Sequence, residues 1–308
     1  MPALSSVAKR LLLGRPFRSD TLSHTLLPKR LALPVFASDA MSSVAYAPQE
    51  IFLTLSISGI AAYKYAPWIG LVVALVMLTV VASYRQNVHA YPSGGGDYEV
   101  ASVNIGKPAG LTVASALLVD YTLTVAVSIS SAIDNVGSAL PFIATNKVAF
   151  AVGAIVLLTA VNLRGLRESG TAFAIPTYAF MGGIIVMIVW GLSRIVLFGQ
   201  SLQSESAGFE LVPEHGQLTG FALAFLLLRS FSQGSAALTG VEAISNGVPA
   251  FRKPKWKNAA TTLLLLGTIS VTMLLGLIAL AVLTKVKLAD DPATQLHGIP
   301  AGYEQKTM

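Results

Sequence analysis

Three acidic side chains stand where acids are expensive. Asp39, Asp120 and Glu242 each fall inside a long apolar stretch, and an Asp at the centre of a membrane-spanning helix costs about 2.5–3.5 kcal/mol. The same stretches hold few bases. Arg229 lies 13 residues before Glu242, roughly 20 Å along a helix, and Arg194 sits near the outer end of its own stretch. Arg229 is read either as a partner of Asp134 or as a side chain reaching to the interface. Helical spacing adds hydroxyls to the acids: Tyr46 is seven beyond Asp39, Thr124 and Ser128 are four and eight beyond Asp120, and Thr239 is three before Glu242. Each shares a helical face with its acid. Carboxylates, hydroxyls and freed backbone carbonyls are hard oxygen ligands, suited to a weakly hydrated alkali ion or a proton. Like charge and desolvation favour a proton on at least one of three crowded acids, so proton coupling joins the expectation.

The elements that must hold these residues are membrane helices. Of 308 residues 54% are hydrophobic and 12% charged, with mean hydropathy +0.67, where a soluble domain averages about 25% charged. A crossing needs about 20 apolar residues, and seven such stretches run near Leu31–Ser58, Ala66–Tyr84, Leu111–Leu140, Val148–Leu163, Thr171–Phe198, Gly220–Ala250 and Ala259–Thr284. The first and sixth are predicted to be broken. Pro34 and Pro48 flank Ala37-Ser38-Asp39-Ala40-Met41-Ser42-Ser43 in the first, and Gly234, Gly240, Gly247 and Pro249 surround Glu242 in the sixth. Small polar residues, glycine and proline all compete with the helical ladder. Breaks five spans apart are the trace expected of an inverted five-helix repeat, whose unwound segments meet at the midplane. Asp39-Ala40-Met41-Ser42-Ser43 also echoes Glu242-Ala243-Ile244-Ser245-Asn246 as acid, Ala, apolar, Ser, small polar.

Charge gives the orientation, because cytoplasmic loops retain Lys and Arg. With the N-terminus inside, the inner segments hold Lys9, Arg10, Arg15, Arg18, Lys29, Arg30, Arg85, Lys107, Arg164, Arg167, Arg252, Lys253, Lys255 and Lys257. The outer segments hold only Lys64, Lys147, Lys285, Lys287 and Lys306. The net charge of +6 therefore reports topology and not nucleic-acid binding, and the Arg252–Lys257 run is read as a cytoplasmic anchor. The division that follows is a basic cytoplasmic segment (1–30), helices 1–5 as a first repeat (31–200), helices 6–7 opening a second (201–285), and a polar extracytoplasmic tail (286–308).

Other chemistries find no support. Zero Cys excludes thiolate metal sites, Fe–S clusters and disulfides. His24, His89, His215 and His297 fall in predicted loops, so no Ser–His–acid arrangement can be argued. Gly94-Gly95-Gly96 lacks the spaced glycines and preceding strand of a dinucleotide site and is read as an inner-loop bend. The protein is not expected to be an enzyme, and no cofactor is implied. A seven-span receptor or scaffold would have no use for three acids within its spans.

The stretches Pro34–Pro48, Tyr91-Pro92-Ser93-Gly94-Gly95-Gly96-Asp97-Tyr98 and Leu238-Thr239-Gly240-Val241-Glu242-Ala243-Ile244-Ser245-Asn246-Gly247-Val248-Pro249 resemble the amino acid–polyamine–organocation (APC) superfamily, and within it the Kup/KimA-type potassium-uptake permeases. The resemblance implies an all-α polytopic fold of the broken-helix, LeuT-like inverted-repeat kind and potassium import coupled to protons. It would assign ion coordination to Asp39, Tyr46, Asp120, Tyr121, Ser128, Thr239 and Glu242, with one acid as proton carrier. It also implies at least three further helices and a soluble regulatory domain, so the chain is read as a truncated member. The implied partners are potassium, protons and the bilayer of the plasma (inner) membrane, with a homodimer as the candidate assembly. The rival reading is an amino-acid or polyamine permease. A substrate carboxylate binds at a half-helix N-terminus, where Asp39 would repel it.

Overall fold

The computed structural model describes residues 26–94, 96–163, 166–214 and 216–298. The basic segment with Lys9, Arg10, Arg15 and Arg18, the histidines His24 and His215, Gly95, Arg164 and Lys306 lie outside the described residues. Helices stand at all seven expected positions: α1 (Lys29–Ser56), α2 (Ala66–Ala90), α3 (Lys107–Ala139), α4 (Lys147–Asn162), α5 (Leu166–Val196), α6 (Gly220–Gly234) and α7 (Lys255–Leu283). Five helical stretches are long and apolar enough to cross a membrane by length and composition: Ile60–Ala90, Lys107–Gly137, Gly170–Val196, Gly220–Asn246 and Lys255–Leu283. The remaining two positions are filled by α1, with 28 residues, and α4, with 16.

The expected break in the first span is not there. Lys29–Ser56 is one continuous helix through Ser38, Asp39 and Ser42. Its hydroxyls turn back on the helix's own carbonyls: Ser42 Oγ donates to Asp39 O (2.8 Å), Thr54 Oγ1 to Glu50 O (2.9 Å) and Ser56 Oγ to Leu53 O (2.6 Å). Such bonds bend a helix without opening it, and the hydrogen bonds missing at Pro34 and Pro48 are of a kind membrane helices tolerate. The sixth span is broken as expected. After α6 the chain runs through a 3₁₀ turn at Ser235–Leu238, an open turn at Thr239–Glu242, one helical turn at Ala243–Asn246 and a second 3₁₀ turn at Val248–Ala250.

The chain divides into two compact units. One takes in the described residues up to Val35, Asn87–Pro176 and Ala243–Ala260. Its connection at residue 27 is a backbone one: Leu27 N donates to Ala250 O (2.8 Å) and Arg252 N to Leu27 O (3.1 Å), with Leu27 and Phe251 both buried. Near the start of α3, Gly110 admits Ser102 of the short Asp97–Asn104 helix; near its end, Gly137 packs on Ala144. Asp134 bonds Lys147 Nζ at 2.7 Å, so its partner is Lys147 and not Arg229. Lys147, 13 positions beyond Asp134, is brought back within reach by the Pro141–Ala144 turn.

The other unit comprises Phe36–Gln86, Thr177–Glu242 and the described residues from Thr261 onward. Ile51, Phe52, Leu55, Met77, Leu263, Leu266, Met273 and Leu274 are fully buried there. Lipid tails are as apolar as these side chains, so close packing and not water exclusion holds such helices together. Small residues permit the approach: Ile51 lies against Gly234 and Ile188 against Gly276. The tail, expected as a polar loop, is folded as far as Gly298. Leu296–His297 pairs antiparallel with Glu210–Leu211, Gln295 Nε2 donates to Ser56 O (3.2 Å), and Tyr63 OH both donates to Leu288 O (2.7 Å) and accepts from Leu288 N (3.1 Å). These bonds satisfy backbone groups that a loose loop would leave to water.

Candidate ion-binding site

The break after α6 is built by glycine. Gly240 has φ +79°, in the left-handed region that L side chains avoid. A Cβ there would lie 2.7 Å from Asp39 Oδ2 and 3.0 Å from Ala40 N. Only a residue with no side chain lets the turn and the Asp39 carboxylate come this close. Beside it, Tyr46 OH and Thr239 Oγ1 both direct their hydroxyls to Ser43 Oγ, at 3.0 and 2.9 Å. Thr239 Oγ1 is also 2.8 Å from Ala236 O, the last turn before the break. Ser43 is fully buried, Asp39, Tyr46 and Thr239 are half-buried, and Glu242 at the end of the turn is only 9% exposed. Within one compact unit the structure thus joins Asp39, Tyr46 and Thr239 through Gly240 and Ser43. Thr239 has one proton for its two neighbours, Ser43 Oγ and the Ala236 carbonyl, and the Tyr46 and Thr239 oxygens each keep a lone pair for another partner. A carboxylate, two hydroxyls and the irregular backbone of the turn make an all-oxygen set, the donor chemistry of alkali cations.

In the other unit, Asn246 holds the segment that follows the break. Its Nδ2 donates to Tyr121 OH (2.9 Å) and its Oδ1 accepts from Gly96 N (2.9 Å). Gly96 lies so close to Asn246 and Ser245, and Gly94 to Pro249, that a side chain at either position would collide. The glycine motif after α2 is thereby a bend that receives the 245–249 segment, and no phosphate loop. Asp120, Tyr121 and Ser128 share α3: Asp120 and Tyr121 are exposed and Ser128 is half-buried. The contacts at Gly110, Asp134 and Gly137 fall toward the ends of α3, and in the window of α3 that would span a membrane no residue is buried.

The sequence marked Gly240 only as a helix breaker and Ser43 and Asn246 only in the echo between spans, and gave none of them a place in the site. Two signals were present. Ser43 is four residues beyond Asp39 and Asn246 four beyond Glu242, the helical spacing that had singled out the hydroxyls. The two residues also occupy the same place in the echo between the first and sixth spans. Each is a hydrogen-bond junction, Ser43 for Tyr46 and Thr239, Asn246 for Tyr121 and Gly96.

Apolar helices of crossing length, one of them opened at a polar, glycine-built turn, define a multi-pass membrane protein. Residues 35–294 match the amino acid permease family, and the chain belongs to it. Over 277 residues it is 41% identical to the potassium transporter KimA of Bacillus subtilis (strain 168). That alignment covers 89% of this chain and 44% of the relative, so the chain spans less than half of the relative's length.

Proposed function

We propose that this chain carries cation-coordinating helices of a secondary active transporter that imports potassium together with protons by alternating access. The observation that carries the reading is the Asp39 carboxylate set against the Gly240 turn, with the Tyr46–Ser43–Thr239 hydroxyls beside it. A negative charge held at an opened helix favours a small cation and disfavours a substrate carboxylate. The similarity to a potassium transporter supports potassium as the ion. In this proposal Asp39, Tyr46, Thr239 and Glu242 supply oxygen ligands, Asp120, Tyr121 and Ser128 of α3 are further ion-coordinating residues, and one of the acids carries the proton. The LeuT-like inverted repeat, seven crossings, an inner-membrane location with the N-terminus cytoplasmic, and a homodimeric assembly belong to the same proposal. Continuity of α1 through Asp39 puts the unwound backbone in the sixth span alone.

The family match to amino acid permeases favours a second reading, transport of an amino acid or polyamine. The test is uptake by cells lacking their own potassium importers and expressing the full-length protein. Asp39→Asn, Asp120→Asn and Glu242→Gln are expected to abolish rubidium uptake while the protein still inserts in the membrane. Collapse of the pH gradient at fixed voltage is expected to slow the wild type. Uptake of labelled amino acids or putrescine, with rubidium flux absent in the wild type, would overturn the potassium reading.

A further inference from the structure

The segments assigned to the outer side are poor in bases, with five lysines in all. Three of them, Lys64, Lys285 and Lys287, are far apart in sequence and line one cavity of about 540 Å³. That size lies within the ~300–1,000 Å³ typical of small-molecule sites. No carboxylate is among its lining residues, and the rest of the wall is largely apolar, with Phe52, Ile60 and Pro67 prominent. Like charges gathered beside an apolar wall repel one another, and an anion placed among them would relieve that repulsion.

Each of the three lysines is set by its local structure. Lys285 is the one non-glycine residue with left-handed backbone among the described residues, φ +57°, and it closes the end of α7, where Val286 N donates to Ala281 O (2.9 Å). Lys287 is drawn in at both ends of its length: its N–H donates to Ser206 Oγ (2.9 Å) and its Nζ to Phe209 O. Lys64 is posed over the Tyr65 ring at 5.0 Å.

We propose that this cavity binds a phosphate group, with Lys64 and Lys285 as its ammonium ligands, Lys287 as a fixed positive charge, and the apolar wall accepting what the phosphate is attached to. Two sources offer that chemistry, the headgroup of an anionic phospholipid and free inorganic phosphate. The site is separate from the Asp39 turn and does not depend on which substrate the protein carries.

The experiment is a lysine footprint. The full-length protein is placed in phosphatidylcholine nanodiscs and briefly acetylated with an amine-reactive reagent, and each lysine is quantified by mass spectrometry. Two probes are added in separate arms, dioctanoyl phosphatidylglycerol and inorganic phosphate. The expected result is at least threefold slower acetylation of Lys64 and Lys285, with Lys147, which is paired to Asp134 in the other unit, unchanged as the internal control. Protection by the lipid alone assigns the site to a headgroup, and protection by both probes assigns it to phosphate from either source. Lys64→Gln removes an exposed side chain without touching the fold and is expected to reduce the protection of Lys285 at least threefold. No protection by either probe, equal slowing at Lys147, or full protection of Lys285 in Lys64→Gln would each overturn the proposal.

Discussion

Replacing Gly240 by alanine tests the closeness of the turn to Asp39 most directly. Two penalties add. Holding an L residue at φ +79° costs about 1–2 kcal/mol, and a methyl placed 2.7 Å from Asp39 Oδ2 and 3.0 Å from the Ala40 backbone forces the overpacking displacement that costs about 1–3 kcal/mol. The Ala40 backbone cannot yield easily, since Ala40 is fully buried within continuous α1. The sum is about 2–5 kcal/mol. At 1.4 kcal/mol per tenfold, even the lower end depopulates the native turn about thirtyfold. The assay pairs rubidium uptake with thermal stability of the detergent-solubilised protein, and Gly153→Ala serves as control because a Cβ there meets nothing within 4 Å. Gly240→Ala is expected to lose more than nine-tenths of uptake and to unfold at lower temperature, while Gly153→Ala keeps both. Part of the stability loss is expected to return when Asp39→Ala is combined with Gly240→Ala, because one of the two colliding groups is then gone. Wild-type stability and uptake in Gly240→Ala would refute the reasoning.

Ser43→Ala strips the shared acceptor from Tyr46 and Thr239, a loss of about 1–3 kcal/mol for a buried junction. It is expected to raise the half-saturating rubidium concentration at least fivefold without changing the amount of protein in the membrane, and an unchanged concentration dependence would count against the hydroxyl cluster. Tyr63→Phe removes the hydroxyl that both donates to and accepts from Leu288, at a similar cost of about 1–3 kcal/mol. Limited proteolysis is expected to cut the 285–298 segment several times faster in this variant, and an unaltered cleavage rate would show that the segment is held by other contacts.

What was legible in the sequence was set by local physics. Apolar length placed helices at seven positions, since a segment that must satisfy its backbone bonds without water has few alternatives. The sixth-span break could be read from Gly234, Gly240, Gly247 and Pro249, because glycine and proline act on the backbone where they stand. The first-span break was misread by the same logic. Serines in a helix can either open the backbone or fold onto it, and Ser42 folds onto Asp39 O, a choice that composition does not encode. The acids and hydroxyls were found by type and spacing, but their junctions were not.

The residue types and their helical period determined by themselves that this is a membrane protein with acids and hydroxyls within its spans. Only the tertiary structure decided that Asp39 faces Gly240, that Thr239 and Tyr46 meet at Ser43, that Asn246 joins Tyr121 to Gly96, and that Asp134 belongs to Lys147. Each of these contacts except the Tyr46–Ser43 pair links residues thirteen or more positions apart. A period of 3.6 residues says which side chains share a face. It carries no information about which other face the folded chain brings against them.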